Sequence, residues 1–323
     1  MMDGYLSHIS AAKLWGVPYL DAAIGSELAT AFASGDDVAH DAAVDFMPEA
    51  VSTRAAQVPA AELEIRLPSV CRTFRNEKSR NRKAAVKSYV ASRPLPKGAV
   101  VWHRGVRVAN PELLFLELAT TLGFHRTLLL GLSLCGHPNR HPEKALSSAK
   151  KILRFAEKAA WHRGNLIALR AARHLADGSA SVMESLLYMI LVLPHHYGGY
   201  GLKGAKFNFE ISLAGKDAAL GKKSLNVDLY WEDAKLAVEY DSYAYHANVN
   251  RWVHDARRLT AIENMGFNTI SVNTAQIYDT KAMEEVARLI AGHLKKRIQI
   301  RDGGFLRAQA HLRALLPQAA EKF

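Results

Sequence analysis

The chain has 323 residues, 49% of them apolar and 23% charged, with a net charge of +11 and a pI near 9.6. That balance fits a folded chain of one to three domains, and no repeat or low-complexity tract interrupts it. The two cysteines, Cys71 and Cys135, are too widely spaced for a ligand pair, which argues against a cysteine zinc site or a disulfide framework and for a reducing cytoplasm.

The opening "MMDGYLSHIS" carries neither a basic n-region nor an apolar h-region, so no signal peptide is predicted. No run approaches the eighteen-odd apolar residues of a membrane span, and no membrane association is expected. "LSHISAAKLWGVP" predicts a helix with Ser7 or Ser10 at its start and Gly16 and Pro18 at its end. "AELEIRLPS" and the alternating "GAVVWHRGVRV" predict strands. "NPELLFLELATTLG" predicts a helix capped by Asn110, with Pro111 in the first helical position and Gly123 after its end. "HPNRHPEK", residues 137–144, is the predicted linker.

Beyond the linker the pattern changes. Residues 143–177 predict one or two helices, and "SASVMESLLYMILVLP" a further one that ends before Pro194. A glycine-rich turn, "HHYGGYGLKG", follows. "FNFEISL", "SLNVDLYWE" and "KLAVEYDSY" are spaced as an antiparallel meander. Then come a helix closed by Gly266, the strand "FNTISVN" and the helix "KAMEEVARLIAGHLKKR". The expected fold is α/β, a mixed sheet flanked by helices with a parallel pairing across the helical crossover, preceded by a smaller α+β domain.

Charge is unevenly spread. Between Arg66 and Arg107 there are twelve Lys or Arg and one acid, Glu77. The densest part, "RTFRNEKSRNRKAAVKSY", makes Arg72, Arg75, Lys78, Arg80, Arg82, Lys83 and Lys87 candidate contacts to a nucleic-acid backbone. A solvated basic face is the alternative. Further basic stripes run through Lys150, Lys151, Arg154, Lys158 and Arg163, and through "KKRIQIR" at 295–301. Trp231, Tyr240 and Tyr245 are candidates either for stacking on bases or for packing on the sheet.

The acids carry the chemistry. Glu184 lies in an apolar helix, Asp228 interrupts a strand core, and Glu239 and Asp241 end the next strand. Residues two apart on a strand share a face, and the short loop "WEDAK" brings Asp228 beside that pair. The helix of Glu184 is expected to bury Leu186, Leu187 and Ile190 on the sheet, adding a fourth carboxylate. Carboxylates buried side by side need a neutralising charge. Mg²⁺ or Mn²⁺, with its preference for hard oxygen ligands, supplies one. Pairing with Lys235, Arg251, Arg257 or Arg258 is the other explanation.

"VDLYWEDAKLAVEYDSYAYH" followed by "HDARRLTAIENMGFNTISVN" resembles the very-short-patch-repair-like branch of the PD-(D/E)xK nuclease superfamily, over residues 145–300. The resemblance implies a restriction-endonuclease-like sheet. It implies Asp228 as the first-strand metal aspartate, Glu239 and Asp241 as the second-strand acidic pair, His246 as the histidine after it, Glu184 as the helical acid and Arg258 as a basic helical position. Asp241 stands where the superfamily has its lysine, so His246, His254, Arg251 or Arg258 would have to serve instead. The cysteine-rich zinc site of the repair enzyme is absent, and mismatch repair is not implied. "LSHISAAKLWGV", the strand pair and "VANPELLFLELATTLG" resemble the domain of abortive-infection (AbiEi-type) antitoxins, without the winged helix that usually precedes it.

The expected organisation is a basic nucleic-acid-binding α+β domain at 1–142, a nuclease domain at 143–302 and a helical tail at 303–323. The expected function is a cytoplasmic Mg²⁺- or Mn²⁺-dependent endonuclease or nickase, with DNA ranked ahead of RNA and bacterial defence as a setting. A protein partner is also open. The alternatives are an inactive nucleic-acid-binding, antitoxin-like regulator and a toxin-like ribonuclease.

Overall fold

The structure is a computed structural model and describes residues 4–18, 20–24, 70–74, 86–91, 93–212, 224–241, 260, 262 and 264–317. The chain divides into two compact units. The first comprises residues 1–136 and 144–175, and the second 137–143 and 176–323. This differs from a boundary at 142/143, because the helices after the linker pack with the N-terminal unit and the linker packs with the C-terminal one.

The first unit is built on a five-stranded mixed sheet in the order β3-β2-β1-β5-β4. Its strands are β1 (Gly4–Leu6), β2 (Val70–Phe74), β3 (Val86–Val90), β4 (Val100–His103) and β5 (Val106–Ala109). The run "GAVVWHRGVRV" is therefore two strands rather than one. Arg104 and Gly105 both take positive φ, 47° and 75°, which closes a two-residue hairpin. Helix α1 (His8–Trp15) ends at Gly16 in the left-handed conformation, as its sequence predicts. Ser7 occupies the cap position, but its hydroxyl meets the His8 ring instead of a backbone N–H. Ser10 accepts the Cys71 N–H and ties α1 to β2. The short helix α2 (Leu20–Ile24) follows.

Helix α3 (Pro111–Leu134) is the core of this unit. Asn110 accepts the Leu113 N–H at 2.7 Å, the expected cap. Gly123 does not end the helix; its φ of 68° breaks one turn, and the helix resumes to Leu134. Among the described residues α3 alone is long and apolar enough to cross a membrane, and its most apolar window is 67% buried here. Helices α4 (Ala149–Lys158) and α5 (Asn165–Ala172) pack on it. Gly131 permits the approach, since a Cβ there would collide with Phe115 and Leu175. Helix α4 buries Ile152, Phe155 and Ala156, leaving Lys150, Lys151, Arg154 and Lys158 exposed. The second basic stripe is thus the solvent face of an amphipathic helix.

The second unit holds a four-stranded mixed sheet in the order β6-β7-β8-β9: β6 (Ala205–Ser212), β7 (Ser224–Trp231), β8 (Leu236–Asp241) and β9 (Asn268–Asn273). The first three pair antiparallel, and β8 pairs parallel with β9, the mixed pattern that the sequence predicts. Lys235, at φ 45°, turns the chain between β7 and β8. Helix α6 (Val182–Val192) packs on β7 and β8 with Leu186, Leu187 and Ile190 buried, as expected. Helices α7 (Thr274–Tyr278), α8 (Thr280–His293) and α9 (Phe305–Arg313) complete the unit. The predicted strand at 61–69 and most of the predicted helix before Gly266 lie outside the described residues.

The glycine-rich turn after α6 is structural. A Cβ at Gly198 would run into the Ala308–Gln309 backbone of α9, and one at Gly199 into Leu193. Tyr200 is buried beneath it and takes a hydrogen bond from Gln309 at 3.2 Å.

Candidate functional site

Strand β7 forms because "SLNVDLYW" is rich in β-branched, aromatic and leucine residues that fill both faces of a covered sheet. Asp228 is the exception, a carboxylate 5% exposed in that strand. The β7–β8 register runs through Leu229 and Val238, so the next position sets Asp228 beside Glu239. Asp228 Oδ2 accepts the Tyr240 N–H at 2.8 Å, so its side chain links the two strands just past their paired stretch. Glu239 is buried and pairs in register with Ser271 of β9. Asp241 is half-buried opposite Asn273.

Three other elements supply neighbours. Ser181 caps α6 by accepting the Glu184 N–H, and Glu184 Oε2 accepts the Ala180 N–H at 3.0 Å. The same oxygen accepts Asn208 Nδ2 at 3.1 Å. Burial first, and the Asp228 charge second, hold the Glu184 carboxyl above the usual range. Asn208 lies in β6 between the pairs Phe207–Leu229 and Phe209–Val227, across from Asp228. It adopts φ 45°, a left-handed conformation inside a strand, and also donates to Gly178 O at 2.6 Å. Its buried Oδ1 has no hydrogen-bond partner among the described residues.

The third element is the linker. Arg140 donates to Asp228 Oδ1 at 2.9 Å, forming an ion pair in which Asp228 is enclosed and Arg140 is 42% exposed. Arg140 takes φ 61° and sits in a turn closed by the His137 and Pro138 carbonyls. Asp228 thus has a cation supplied by its own chain, from a segment that reads in sequence as a polar connector.

Arg140, Glu184 and Asn208 converge on Asp228, with Glu239 beside it on β8. Among the described residues no group of three His, Cys, Asp or Glu is disposed to hold a metal ion. Carboxylate oxygens are nevertheless the ligands that a hard divalent cation prefers. His246, His254, Arg251, Arg257 and Arg258, the residues that the sequence offers in place of the superfamily's lysine or as partners of the acids, lie outside the described residues.

The predicted basic contacts fare differently from one another. Arg72 is 5% exposed in the middle of β2 and is not a surface cation. Lys87 lies on β3 opposite Cys71. Arg75, Lys78, Arg80, Arg82 and Lys83 lie outside the described residues, as does Tyr245. Trp231 is buried and donates its indole N–H to Leu202 O, so it packs rather than stacks on bases. The Tyr240 hydroxyl meets Thr274 Oγ1 at 2.9 Å.

Sequence reading missed Arg140 and Asn208. The signal for Asn208 is weak, a lone amide in "FNFEIS" at a position where Asn tolerates positive φ. Arg140 gave none, since it is 88 residues from Asp228. No family model, curated protein or solved structure matches the chain.

Proposed function

We propose that the chain is a metal-dependent endonuclease or nickase that hydrolyses phosphodiester bonds of nucleic acid, DNA ahead of RNA. The observation that carries this reading is the placement of two buried carboxylates, Asp228 and Glu239, at neighbouring positions of adjacent strands, with Glu184 close enough to feel the Asp228 charge. Acids held together out of water are expensive without a function. Asp228, Glu239 and Asp241 would hold Mg²⁺ or Mn²⁺, which when bound lowers the pKa of a water and offsets phosphoryl charge. Asn208 and the Ala180 N–H orient Glu184, while Tyr240 N–H and Arg140 fix both oxygens of Asp228.

A second reading has its own observation. Arg140 already neutralises Asp228, so the unit can carry its acids without a metal and act as a nucleic-acid-binding regulator.

The test is a cleavage assay on supercoiled plasmid and structured RNA with wild type and Asp228→Ala, in Mg²⁺, Mn²⁺ or EDTA. Nicking that requires the metal and falls about a hundredfold or more in the variant is expected. Intact nucleic acid in every lane, with salt-sensitive binding in a gel shift, overturns the nuclease reading in favour of the regulator.

A further inference from the structure

The first unit contains a polar cluster of its own, around Glu117 and His8. Glu117, on α3, has a side chain only 10% exposed. Its Oε1 accepts the Tyr5 hydroxyl at 2.9 Å, and its Oε2 accepts the His8 N–H at 3.1 Å. Burial, against the pull of those donors and of Thr73, pushes the Glu117 carboxyl up to about 7. His8 has φ 49°, a left-handed backbone that a residue with a Cβ enters at a cost. Donation of its N–H to Glu117 holds it there. The strain lays the imidazole against the Tyr89 ring, centroids 3.8 Å apart and planes 18° from parallel. Nδ1 meets Ser7 Oγ at 3.0 Å. The His8 side chain is 9% exposed, and burial pushes its pKa down to about 3, so the ring stays neutral.

This cluster opens onto space. A cavity of about 170 Å³ is lined by Tyr5, His8, Tyr89, Glu117 and Arg163. A second, of about 600 Å³, shares Tyr5, Ala91 and Leu95 with it and adds Arg93 and Arg107. That size lies within the range of small-molecule sites. Across both linings the charged residues are three arginines and one acid, Glu117. At the mouth the Arg93 guanidinium lies 6.0 Å from the centroid of Trp161, whose indole is 79% exposed. His162 bonds Pro94 O at 3.1 Å and fixes the segment carrying Trp161 and Arg163 to that wall.

A purely structural polar core would close on itself. This one keeps a strained backbone and an almost fully enclosed carboxyl at the end of an arginine-rimmed cleft. Arginines take phosphate oxygens. The His8–Tyr89 pair and Tyr5 offer flat surfaces for a base, and a buried carboxyl reads amino and ring N–H donors. We propose that this cleft binds a nucleoside monophosphate group, as a free nucleotide or as the end of a strand, with Arg93 and Arg107 on the phosphate and Glu117 and His8 on the base.

The site is independent of the acids in the second unit, so the test runs in EDTA. Calorimetric titration of the full chain would use the four mononucleotides, their nucleosides, inorganic phosphate, and a short oligonucleotide with and without a 5′-phosphate. Mononucleotides or the phosphorylated strand should bind more tightly than either nucleoside or phosphate alone. Preference for mononucleotides marks a small-ligand site, and preference for the phosphorylated strand marks an end-binding one. Arg93→Glu, an exposed position that leaves the fold intact, and Glu117→Gln should each weaken binding about tenfold or more. No heat with any nucleotide or phosphorylated strand at millimolar concentration overturns the proposal. So does binding that both variants leave unchanged.

Discussion

Glu117 and His8 are neighbours whose titrations oppose each other. Glu117 is raised, so the folded state holds its proton more tightly than the unfolded chain does. Its contribution is intact below the ordinary value near 4.5 and is lost as pH climbs to about 7. His8 is depressed, so its contribution is intact above 6.5 and is lost as pH falls toward about 3. Between 4.5 and 6.5 the two slopes cancel, and the wild-type unit should show little pH dependence from this pair. Glu117→Gln separates them. Glutamine still offers a carbonyl to the His8 N–H, and the Tyr5 hydroxyl can turn to accept from its amide. The variant should therefore gain on wild type as pH rises from 4.5 to 8, by on the order of 3 kcal/mol. Urea denaturation at those two pH values measures this, and an equal gap at both would refute the buried-acid account. Such a cluster is invisible in sequence, because Tyr5 and Glu117 are 112 residues apart and nothing in "FLELATT" distinguishes a cavity-lining Glu from an exposed one.

Elements were more legible than sites where the signal is local. Asn110-Pro111 and Gly16 stand where caps are needed, and the alternating runs of the second unit formed β6 to β9 with the expected mixed pairing. Legibility failed where tertiary packing overrides local punctuation. Gly123 reads as a stop, yet α3 resumes after it because the following residues are buried by α4 and α5. Arg104-Gly105 does not read as a turn in sequence, because Val106 and Val108 continue the apolar spacing. In the candidate site the acids were legible as breaks in apolar strands, whereas Arg140 required the fold. The cap of α3 can be tested directly. Asn110 accepts the Leu113 N–H and donates to Gly98 O, so Asn110→Ala removes two bonds at the start of the core helix. The expected loss is about 1 kcal/mol, and Asn110→Ser should restore most of it. Thermal denaturation in which the alanine variant melts with wild type would show that the cap is redundant.

At the scale of the whole molecule the two units are interleaved in sequence. The chain leaves the first unit after Gly136, gives residues 137–143 to the second, and returns to the first from Lys144 to Leu175. A cut at 142/143, the boundary that the prolines suggest, therefore damages both units. The fragment 143–323 would carry α4 and α5 without α3, exposing Ile152 and Phe155, each worth about 1.5–3 kcal/mol when buried. It would also keep Asp228 buried without Arg140, and breaking a buried pair from one side costs about 3–5 kcal/mol, less here because Arg140 is partly exposed. Together these approach the whole stability of an ordinary domain. Fragments 1–142 and 143–323 should therefore be aggregated or protease-sensitive when made separately. A rearranged chain in the order 1–136, 144–175, 137–143, 176–323, which makes each unit continuous in sequence, should be folded. Size-exclusion chromatography with limited proteolysis distinguishes these outcomes. A monomeric, protease-resistant 143–323 fragment would mean that Arg140 and α3 contribute little, and it would remove the physical basis for assigning the linker to the second unit.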